Sequence, residues 1–101
     1  MSITPFQQAC YDLLVQVPTG RVTTYADIAR ALGSKAYRAV GSAMKHNPHP
    51  IIVPCHRVVN SDGRLGQYAF GAAQKQALLM AEGVQVVDGK IVEFDRLRFY
   101  F

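Results

Sequence analysis

Two adjacent residues, Cys55 and His56, have the clearest potential for chemistry. They stand between Pro54 and Arg57, just after the apolar run "IIV". A thiolate beside a histidine is a strong nucleophile, whereas a buried thiol is inert. Pro54 ends any regular strand, and the charge of Arg57 would favour a thiolate if it pointed towards the sulfur. The pair is therefore either a nucleophile with its base or a piece of the core.

A catalytic histidine also needs a third group that fixes its tautomer, usually a carboxylate. The chain has seven acidic residues. Glu82, at the end of a predicted helix, is one candidate and Asp62 is another, and sequence spacing does not choose between them. The second cysteine, Cys10, is typical of a packing residue. No Cys/His cluster has zinc-binding spacing, so we expect no metal site.

Length and composition indicate one globular domain over residues 1–101. Half of the residues are hydrophobic and 18% are charged, as in folded proteins with a core of their own. There is no apolar run of membrane-spanning length and no secretory signal pattern. We therefore expect no membrane association and a cytoplasmic location, or a nuclear one in a eukaryote. The net charge of +4 fits either a solvated surface or a polyanionic partner.

The first predicted helix has a complete start signal. Thr4 is a plausible N-cap, Pro5 suits the first helical position, and Gln7 completes a capping box. Pro18 ends the helix. One apolar face recurs at helical spacing, formed by Phe6, Cys10, Leu13, Leu14 and Val17.

Two further helices follow almost at once. Thr24 caps the second helix three residues before Asp27, and Gly33 ends it. Ser34 is predicted to cap a third helix that ends at Asn47 before a proline. The third helix turns Val40, Ala43 and Met44 inward. Two short helices joined by a tight turn have the outline of a helix-turn-helix, although any two-helix hairpin gives the same outline.

The third helix is unusually rich in small residues, with Arg38 and Lys45 as its long polar groups. A helix with so little bulk can approach a phosphate backbone or a groove floor closely. Close packing of two helices inside the protein explains the same composition, and spacing alone does not decide between these interpretations. The small residues are Ala36, Ala39, Gly41, Ser42 and Ala43.

The second half is predicted to contain a glycine-rich loop, a helix and a hairpin. The loop is "GRLGQYAFG", and the helix runs over 72–82 with Leu78 and Leu79 inward. Two β-rich runs flank Asp88-Gly89, a strong signal for a type I′ hairpin. The predicted fold class is therefore mainly α, with a small C-terminal β-hairpin.

The whole set of motifs resembles the O6-alkylguanine-DNA alkyltransferases. The segments that carry the resemblance are "TTYADIA", "YRAVGSAMKHNP", "NPHPIIV", "PCHRVV" and "GRLGQYAFG", in order and nearly without gaps from about Phe6 to Gly83. The resemblance implies a winged-helix-like DNA-binding domain that inserts its recognition helix into the minor groove. Such a protein flips the damaged guanine out of the duplex and transfers the alkyl group to a cysteine, irreversibly and once per molecule.

The resemblance also implies catalytic roles for five residues. Cys55 would be the alkyl acceptor, His56 would take the thiol proton through a bound water, and Glu82 would orient His56. Asn47 would be a hinge that ties the recognition helix to the cysteine loop. Tyr25 would help to rotate the nucleotide out and protonate the leaving guanine.

DNA and substrate contacts are implied in the same way. Arg38 matches the arginine finger that fills the vacated base stack. The surrounding DNA-binding surface would comprise Ala36, Tyr37, Ala39, Gly41, Ser42 and Lys45. The substrate pocket would be formed by Val58, Tyr68, Ala69 and Phe70. No cofactor is implied, and the expected partner is double-stranded DNA carrying O6-alkylguanine, bound by a monomer.

Departures from the family pattern leave alternatives open. The larger N-terminal domain of many members does not precede the first helix, Ala69 replaces a serine, and Phe70 stands where glycine or tryptophan is common, which predicts a tighter pocket. The short architecture is also similar to the alkyltransferase-like damage sensors, in which tryptophan or alanine replaces the cysteine; the presence of Cys55 favours transfer. An unrelated Cys-His-Glu hydrolase would need an oxyanion-hole motif that the sequence lacks.

Overall fold

The chain is mainly helical, and its strands are all very short. A computed structural model describes residues 3–101. In chain order the elements are α1 (Pro5–Leu14), β1 (Thr23–Thr24), α2 (Tyr25–Ala31), α3 (Tyr37–Lys45), a 3₁₀ turn (Cys55–Arg57), β2 (Val58–Val59), α4 (Ala72–Ala81), β3 (Val86–Val87), β4 (Lys90–Ile91) and α5 (Phe94–Leu97). The predicted fold class is confirmed. Within the described range, no helix has the length and apolar character needed to cross a membrane.

Helix α1 begins with the predicted capping box. The Thr4 hydroxyl accepts a hydrogen bond from the Gln7 backbone N–H at 3.1 Å, and the Gln7 side chain accepts one from the Thr4 N–H at 2.9 Å. These two bonds satisfy donors that a helix start otherwise leaves unpaired. Cys10 and Leu14 are fully buried in the core that α1 forms with α2 and α3.

Helices α2 and α3 form the helix-turn-helix. The Thr24 hydroxyl caps α2 by accepting from the Asp27 N–H at 3.0 Å, as predicted. The prediction that Ser34 caps α3 is wrong, because α3 begins only at Tyr37 and its N-cap has no side-chain bond. The Ser34 hydroxyl instead accepts from the Ala36 N–H at 3.0 Å within the turn, the local bond that serine commonly offers in competition with a helix.

A parallel strand pair that the sequence pattern did not predict joins the two halves of the chain. In β1 and β2, Thr23 pairs with Val58 and Thr24 with Val59. Strands of two residues are too short to show a periodic signal. Because the strands are parallel, the 3₁₀ turn that leads into β2 lies at the end of the pair where the chain enters β1. Helix α2 begins at the opposite end, beside the residues that follow β2, so the pair fixes the two halves of the chain to each other.

The C-terminal hairpin has the predicted turn. Asp88 and Gly89 have φ of 52° and 74°, the two left-handed residues that a type I′ turn requires. The hairpin is followed by α5, which the sequence did not reveal because it has only four residues. The chain then returns to the helical half, where the Phe99 N–H donates to the Val22 carbonyl at 2.6 Å.

A buried ion pair fixes this returning segment to α2. Arg98 donates from Nε and Nη2 to the two Asp27 oxygens at 2.8 and 2.9 Å. The Asp27 side chain is only 2% exposed. Burial by itself would raise the pKa of Asp27, but hydrogen bonds from Arg98 and Thr24 outweigh it and lower that pKa. The ionised carboxylate therefore stabilises the fold.

Replacement of Asp27 should expose this contribution and its pH dependence. Asp27→Asn leaves a partly buried guanidinium without its counter-charge, so we expect a loss of about 3 kcal/mol in the free energy of unfolding at pH 7. Because the pKa of Asp27 is lowered in the folded state, the stabilisation is complete above about pH 4 and disappears as the pH falls through the folded value. Urea denaturation of both proteins from pH 2 to 7 measures it. Asp62→Asn, at an exposed pair, is the matched control, and a difference that stays constant over this range would contradict the assignment.

Candidate functional site

An open cavity of about 800 Å³ lies between α3 and the glycine-rich loop that follows β2. Four predicted site residues outside α3 line it: Tyr25, Cys55, Tyr68 and Ala69. Five more line it from α3, namely Tyr37, Arg38, Gly41, Ser42 and Lys45. The predicted nucleophile and most of the predicted DNA-binding helix therefore share one cavity. Asn60, Gly66 and Gln67 also line the cavity, and none of them was a predicted site residue.

The 3₁₀ turn explains how two neighbouring residues take different directions. The Arg57 N–H donates to the Pro54 carbonyl at 2.9 Å, which closes a sharp turn immediately after the proline. Cys55 is 4% exposed and lines the cavity, whereas His56 is 1% exposed and reaches the end of α4. Pro54 is the N-cap of this turn: it has no backbone N–H to donate, and its carbonyl accepts the bond that closes the turn.

Glu82 is the carboxylate that contacts His56. Nε2 of His56 lies 2.8 Å from Oε2 of Glu82, whereas Asp62 is exposed and pairs with Arg64. A carboxylate accepts from Nε2–H, so the other nitrogen, Nδ1, is left as the acceptor of a neutral imidazole. Nδ1 is buried and has no hydrogen-bond partner among the described residues. It is therefore the nitrogen available to take a proton.

The guanidinium of Arg57 points to Glu82. It does not point towards the sulfur of Cys55, which was the alternative under which its charge would favour a thiolate. Its Nε and Nη2 donate to Oε1 and Oε2 of the carboxylate at 2.9 and 2.8 Å. Burial alone would raise the pKa of Glu82, but the hydrogen bonds from Arg57 and His56 outweigh it, and the pKa of Glu82 is lowered. The carboxylate is ionised where it meets His56.

Two phenols lie beside Cys55. Burial, with a smaller contribution from Cys55, raises the pKa of Tyr25 to about 12. Burial and the neighbouring Cys55 raise the pKa of Tyr68 as well. The hydroxyl of Tyr25 donates to the Gln67 carbonyl at 3.5 Å. Both phenols are therefore protonated at neutral pH and can act as hydrogen-bond donors in the cavity.

Lys75 is a functional candidate that the sequence analysis missed. It is fully buried, its Nζ donates to the Gln67 carbonyl at 3.1 Å, and Nζ lies 6.0 Å from the centroid of the Tyr25 ring. Burial lowers the pKa of Lys75 to about 8, against an opposing effect of Cys55. Its spacing of four residues from the inward Leu79 was the available signal, since it places both on one helix face.

Asn47 bridges the end of α3 and the segment that precedes Cys55. Its Nδ2 donates to the Val53 carbonyl at 2.7 Å, and its Oδ1 accepts from the His49 N–H at 2.9 Å. The next link is the Cys55 N–H, which donates to the same Val53 carbonyl at 2.8 Å. Asn47 does not line the cavity, so it contacts the nucleophile only through this backbone segment.

The small residues of α3 face outward. Ala36, Ala39 and Ser42 are exposed, and a Cβ atom at Gly41 would meet nothing within 4 Å. Packing against another helix therefore does not explain these four residues. Of the small residues only Ala43 is buried, where α3 contacts the core. The geometry favours the interpretation in which α3 presents a close-approach surface.

Two of the predicted pocket residues lie elsewhere. Val58 is fully buried in β2 and belongs to the core, because strand pairing with β1 turns it inward. Phe70 is 61% exposed and outside the cavity lining, with its ring 5.5 Å from that of Tyr68 in an edge-on contact. Phe70 therefore does not contact the cavity directly, and the predicted narrowing of the pocket by its side chain is not seen. Within residues 3–101 no group of three His, Cys, Asp or Glu side chains could hold a metal ion.

Comparison with known proteins agrees with this geometry. Residues 5–84 match the family described as 6-O-methylguanine DNA methyltransferase, DNA binding domain. The chain belongs to this family. It is 51% identical over 84 residues to the methylated-DNA--protein-cysteine methyltransferase of Thermococcus kodakarensis, an alignment that covers 82% of this chain and 47% of that protein. The chain thus spans about half the length of the curated relatives it matches.

Two solved structures of similar fold were determined with DNA. The Mycobacterium tuberculosis protein OGT in complex with DNA is 45% identical with a TM-score of 0.77, covering 80% of this chain and 51% of that one. The S. pombe protein Atl1, in complex with damaged DNA containing O6-carboxymethylguanine, is 32% identical with a TM-score of 0.84 and covers all of both chains. The resemblance inferred from the motifs is confirmed.

The buried ammonium of Lys75 yields a test of the site electrostatics. Because the pKa of Lys75 falls to about 8 in the folded state, the unfolded chain binds more protons between pH 8 and 10.5, and the wild type gains about 3 kcal/mol of stability across that interval. Lys75→Met has no group that titrates at this position and cannot show this gain. Between pH 7 and 10.5, we therefore expect the free energy of unfolding of the variant to fall by about 3 kcal/mol relative to that of the wild type. Denaturant titrations at several pH values measure the difference. Lys35→Met, which removes an exposed charge, is the control, and parallel pH profiles for Lys75→Met and the wild type would contradict the assignment.

Proposed function

We propose that this protein repairs O6-alkylguanine in double-stranded DNA by transferring the alkyl group to Cys55. One observation carries the proposal: Cys55 lines the same cavity as the exposed, small-sided face of α3. The next residue in the chain, His56, is hydrogen-bonded to the ionised carboxylate of Glu82. All of these groups come from one chain, so we propose that it acts as a single domain and as a monomer.

The proposed reaction is a displacement at carbon. The sulfur of Cys55 forms a bond to the alkyl carbon, and the bond between that carbon and guanine O6 breaks. The thiol proton passes to Nδ1 of His56 through a water molecule, and the leaving guanine takes a proton from Tyr25, which is later restored from His56 through solvent. The products are a thioether and unmodified guanine. Because the thioether is stable, each protein molecule reacts once.

Charge and shape support a DNA partner. The sequence has no acidic residue between Asp27 and Asp62, and four exposed arginines and lysines lie in that interval, in addition to Arg57, which is bonded to Glu82. Lys and Arg contacts to phosphates supply most non-specific affinity for DNA. The minor groove is only about 6 Å wide, and a bulky helix would not enter it. The outward Gly41 and Ser42 give α3 the low profile that such an approach requires.

Arg38 is proposed to act where the damaged base leaves the stack. A base inside the duplex hides its O6 substituent, and extruding it costs a few kcal/mol. Arg38 is exposed at the first turn of α3 and lines the cavity. A guanidinium inserted from the groove would bond to the orphaned partner base and offset part of this cost. Tyr37 and Lys45 line the same cavity and would contact the backbone on either side.

A second function is supported by one observation. The match to Atl1 covers the whole of both chains, and that protein was crystallised with damaged DNA. A sensor that marks O6-alkylguanine for another pathway would use the same α3 surface and cavity without any transfer. Cys55 and its hydrogen-bonded His56–Glu82 pair have no use in such a sensor, and for this reason we favour transfer.

Mass spectrometry of the reacted protein separates the two functions. After incubation with a duplex that contains O6-methylguanine, we expect one methyl group per molecule, on the peptide that contains Cys55. Cys55→Ala should bind the duplex without being modified, and Cys10→Ala should react normally because Cys10 is buried in the core. Tight binding with an unmodified Cys55 would contradict transfer and support the sensor. A methyl group on neither cysteine and no preference for damaged DNA would contradict both functions.

Arg38→Ala should reduce discrimination rather than overall affinity. We expect about tenfold weaker binding to O6-methylguanine duplex, since a lost base-directed arginine costs about 1–3 kcal/mol. Binding to undamaged duplex should fall much less. Fluorescence anisotropy at fixed salt measures both affinities. Lys35→Ala removes a nearby positive charge outside the cavity and is the matched control. Equal losses on the two duplexes for Arg38→Ala would show that Arg38 only contacts phosphate.

A further inference from the structure

We infer that Arg57 is a positioning residue that orients Glu82 and keeps His56 competent as a base, and thereby sets the pH range in which Cys55 reacts. The inference rests on the proposed function, because it concerns the same nucleophile. Arg57 touches neither the cavity nor the sulfur. Its effect would pass through Glu82 and then through His56.

The guanidinium of Arg57 is almost completely used. Two of its donors form a fork on the Glu82 carboxylate, with Nε at 2.9 Å from Oε1 and Nη2 at 2.8 Å from Oε2. Nη1 donates to the Val17 carbonyl at 2.8 Å, and Nη2 also lies 3.1 Å from the Thr19 hydroxyl. The planar fork of arginine fits a carboxylate in this way, and the ammonium of lysine does not.

Glu82 has little else to hold its side chain. It is the C-cap residue of α4, just beyond the last helical turn. Besides the bonds from Arg57 and His56, its carboxylate accepts a long hydrogen bond, from the Gly20 N–H at 3.5 Å. Oε2 is the oxygen that both His56 and Arg57 contact, each at 2.8 Å. The position of Arg57 therefore determines where this oxygen meets the imidazole.

The charges around Glu82 also depend on Arg57. From the 3₁₀ turn, His56 and Arg57 face the carboxylate. The segment between α1 and β1 contributes the uncharged Thr19 and Gly20, and the buried cation of α4, Lys75, lies instead beside Tyr25 and the Gln67 carbonyl. Without the guanidinium, the carboxylate charge would be balanced by His56, which favours a protonated imidazole. A protonated imidazole cannot accept the thiol proton.

The test compares the pH dependence of single-turnover methyl transfer in the wild type and in Arg57→Met. We expect the pH of half-maximal rate to rise by about one unit in the variant. Removing a charge within about 4–6 Å shifts the titration midpoint of a neighbouring group by about one unit or more. Below this midpoint the rate should be about tenfold lower than in the wild type. An unchanged midpoint with a uniformly lower rate would show that Arg57 only supports the fold, and would overturn the inference.

Arg57→Lys separates orientation from charge. This variant keeps the positive charge and loses the fork, so its midpoint should move less than that of Arg57→Met while its rate falls about threefold to tenfold at every pH. A rate equal to that of the wild type would contradict a positioning role, including in the case where Arg57→Met does not fold. Arg96→Gln removes an exposed arginine that pairs with Glu93 and should leave both the midpoint and the rate unchanged.

Reaction of Cys55 with iodoacetamide makes the result independent of DNA repair. The rate of carbamidomethylation of the Cys55 peptide, followed by mass spectrometry from pH 5 to 9 without DNA, should show the same upward shift in Arg57→Met. If the wild type transfers no methyl group at any pH, the proposed function fails and this shift still supports the role of Arg57. If the alkylation profiles of the two proteins coincide, the inference fails whatever the outcome with DNA.

Discussion

The site depends on one partly buried carboxylate that is shared by two donors from consecutive residues. Glu82 accepts from His56 on one side and from the forked guanidinium of Arg57 on the other. These bonds join the end of α4 to the 3₁₀ turn, and Arg57 extends the connection to the segment after α1. Burial of an ionised carboxylate is unfavourable unless its oxygens are paired. The same contacts that satisfy Glu82 therefore fix the geometry behind Cys55.

A second connection joins the nucleophile to the surface that would meet DNA. Asn47 ties the end of α3 to the backbone that precedes Cys55, and Tyr25, at the start of α2, lines the same cavity as Cys55. The cavity is thus lined by elements that are far apart in the sequence. The proposed function requires α3 and Cys55 to keep a fixed relative position. Two hydrogen bonds of the Asn47 side chain and the bond from the Cys55 N–H to the Val53 carbonyl, at 2.7 to 2.9 Å, connect them.

Local chemistry predicted the helices well because their signals lie within a few residues. The capping box at Thr4, the Thr24 cap and the Asp88-Gly89 turn were all confirmed. The prediction that Ser34 caps α3 was wrong because its hydroxyl accepts a bond from a neighbouring backbone N–H before the helix begins. The strands β1 and β2 and the helix α5 are too short for a periodic pattern of hydrophobic residues to appear in the sequence.

The sequence predicted the positions of the proposed catalytic groups less completely than it predicted the helices. Spacing left Glu82 and Asp62 as equal partners for His56, and the family resemblance was needed to favour Glu82 before the structure placed it at 2.8 Å. Lys75 was missed although its spacing from Leu79 places it on the inward face of α4. The direction of Arg57 depends on tertiary contacts with Glu82, Val17 and Thr19, which no local signal reveals. Val58 was assigned to the pocket by its place in the motif, although strand pairing turns it into the core.

The outward face of α3 and Cys55 are proposed to form one site for an extruded base. A crystal structure of Cys55→Ser bound to a duplex containing O6-methylguanine would test this arrangement. We expect α3 in the minor groove, the modified base in the cavity with its methyl group facing position 55, and Arg38 in the vacated stack. An O6-methylguanine that remains stacked in the duplex, with α3 outside the minor groove, would contradict it.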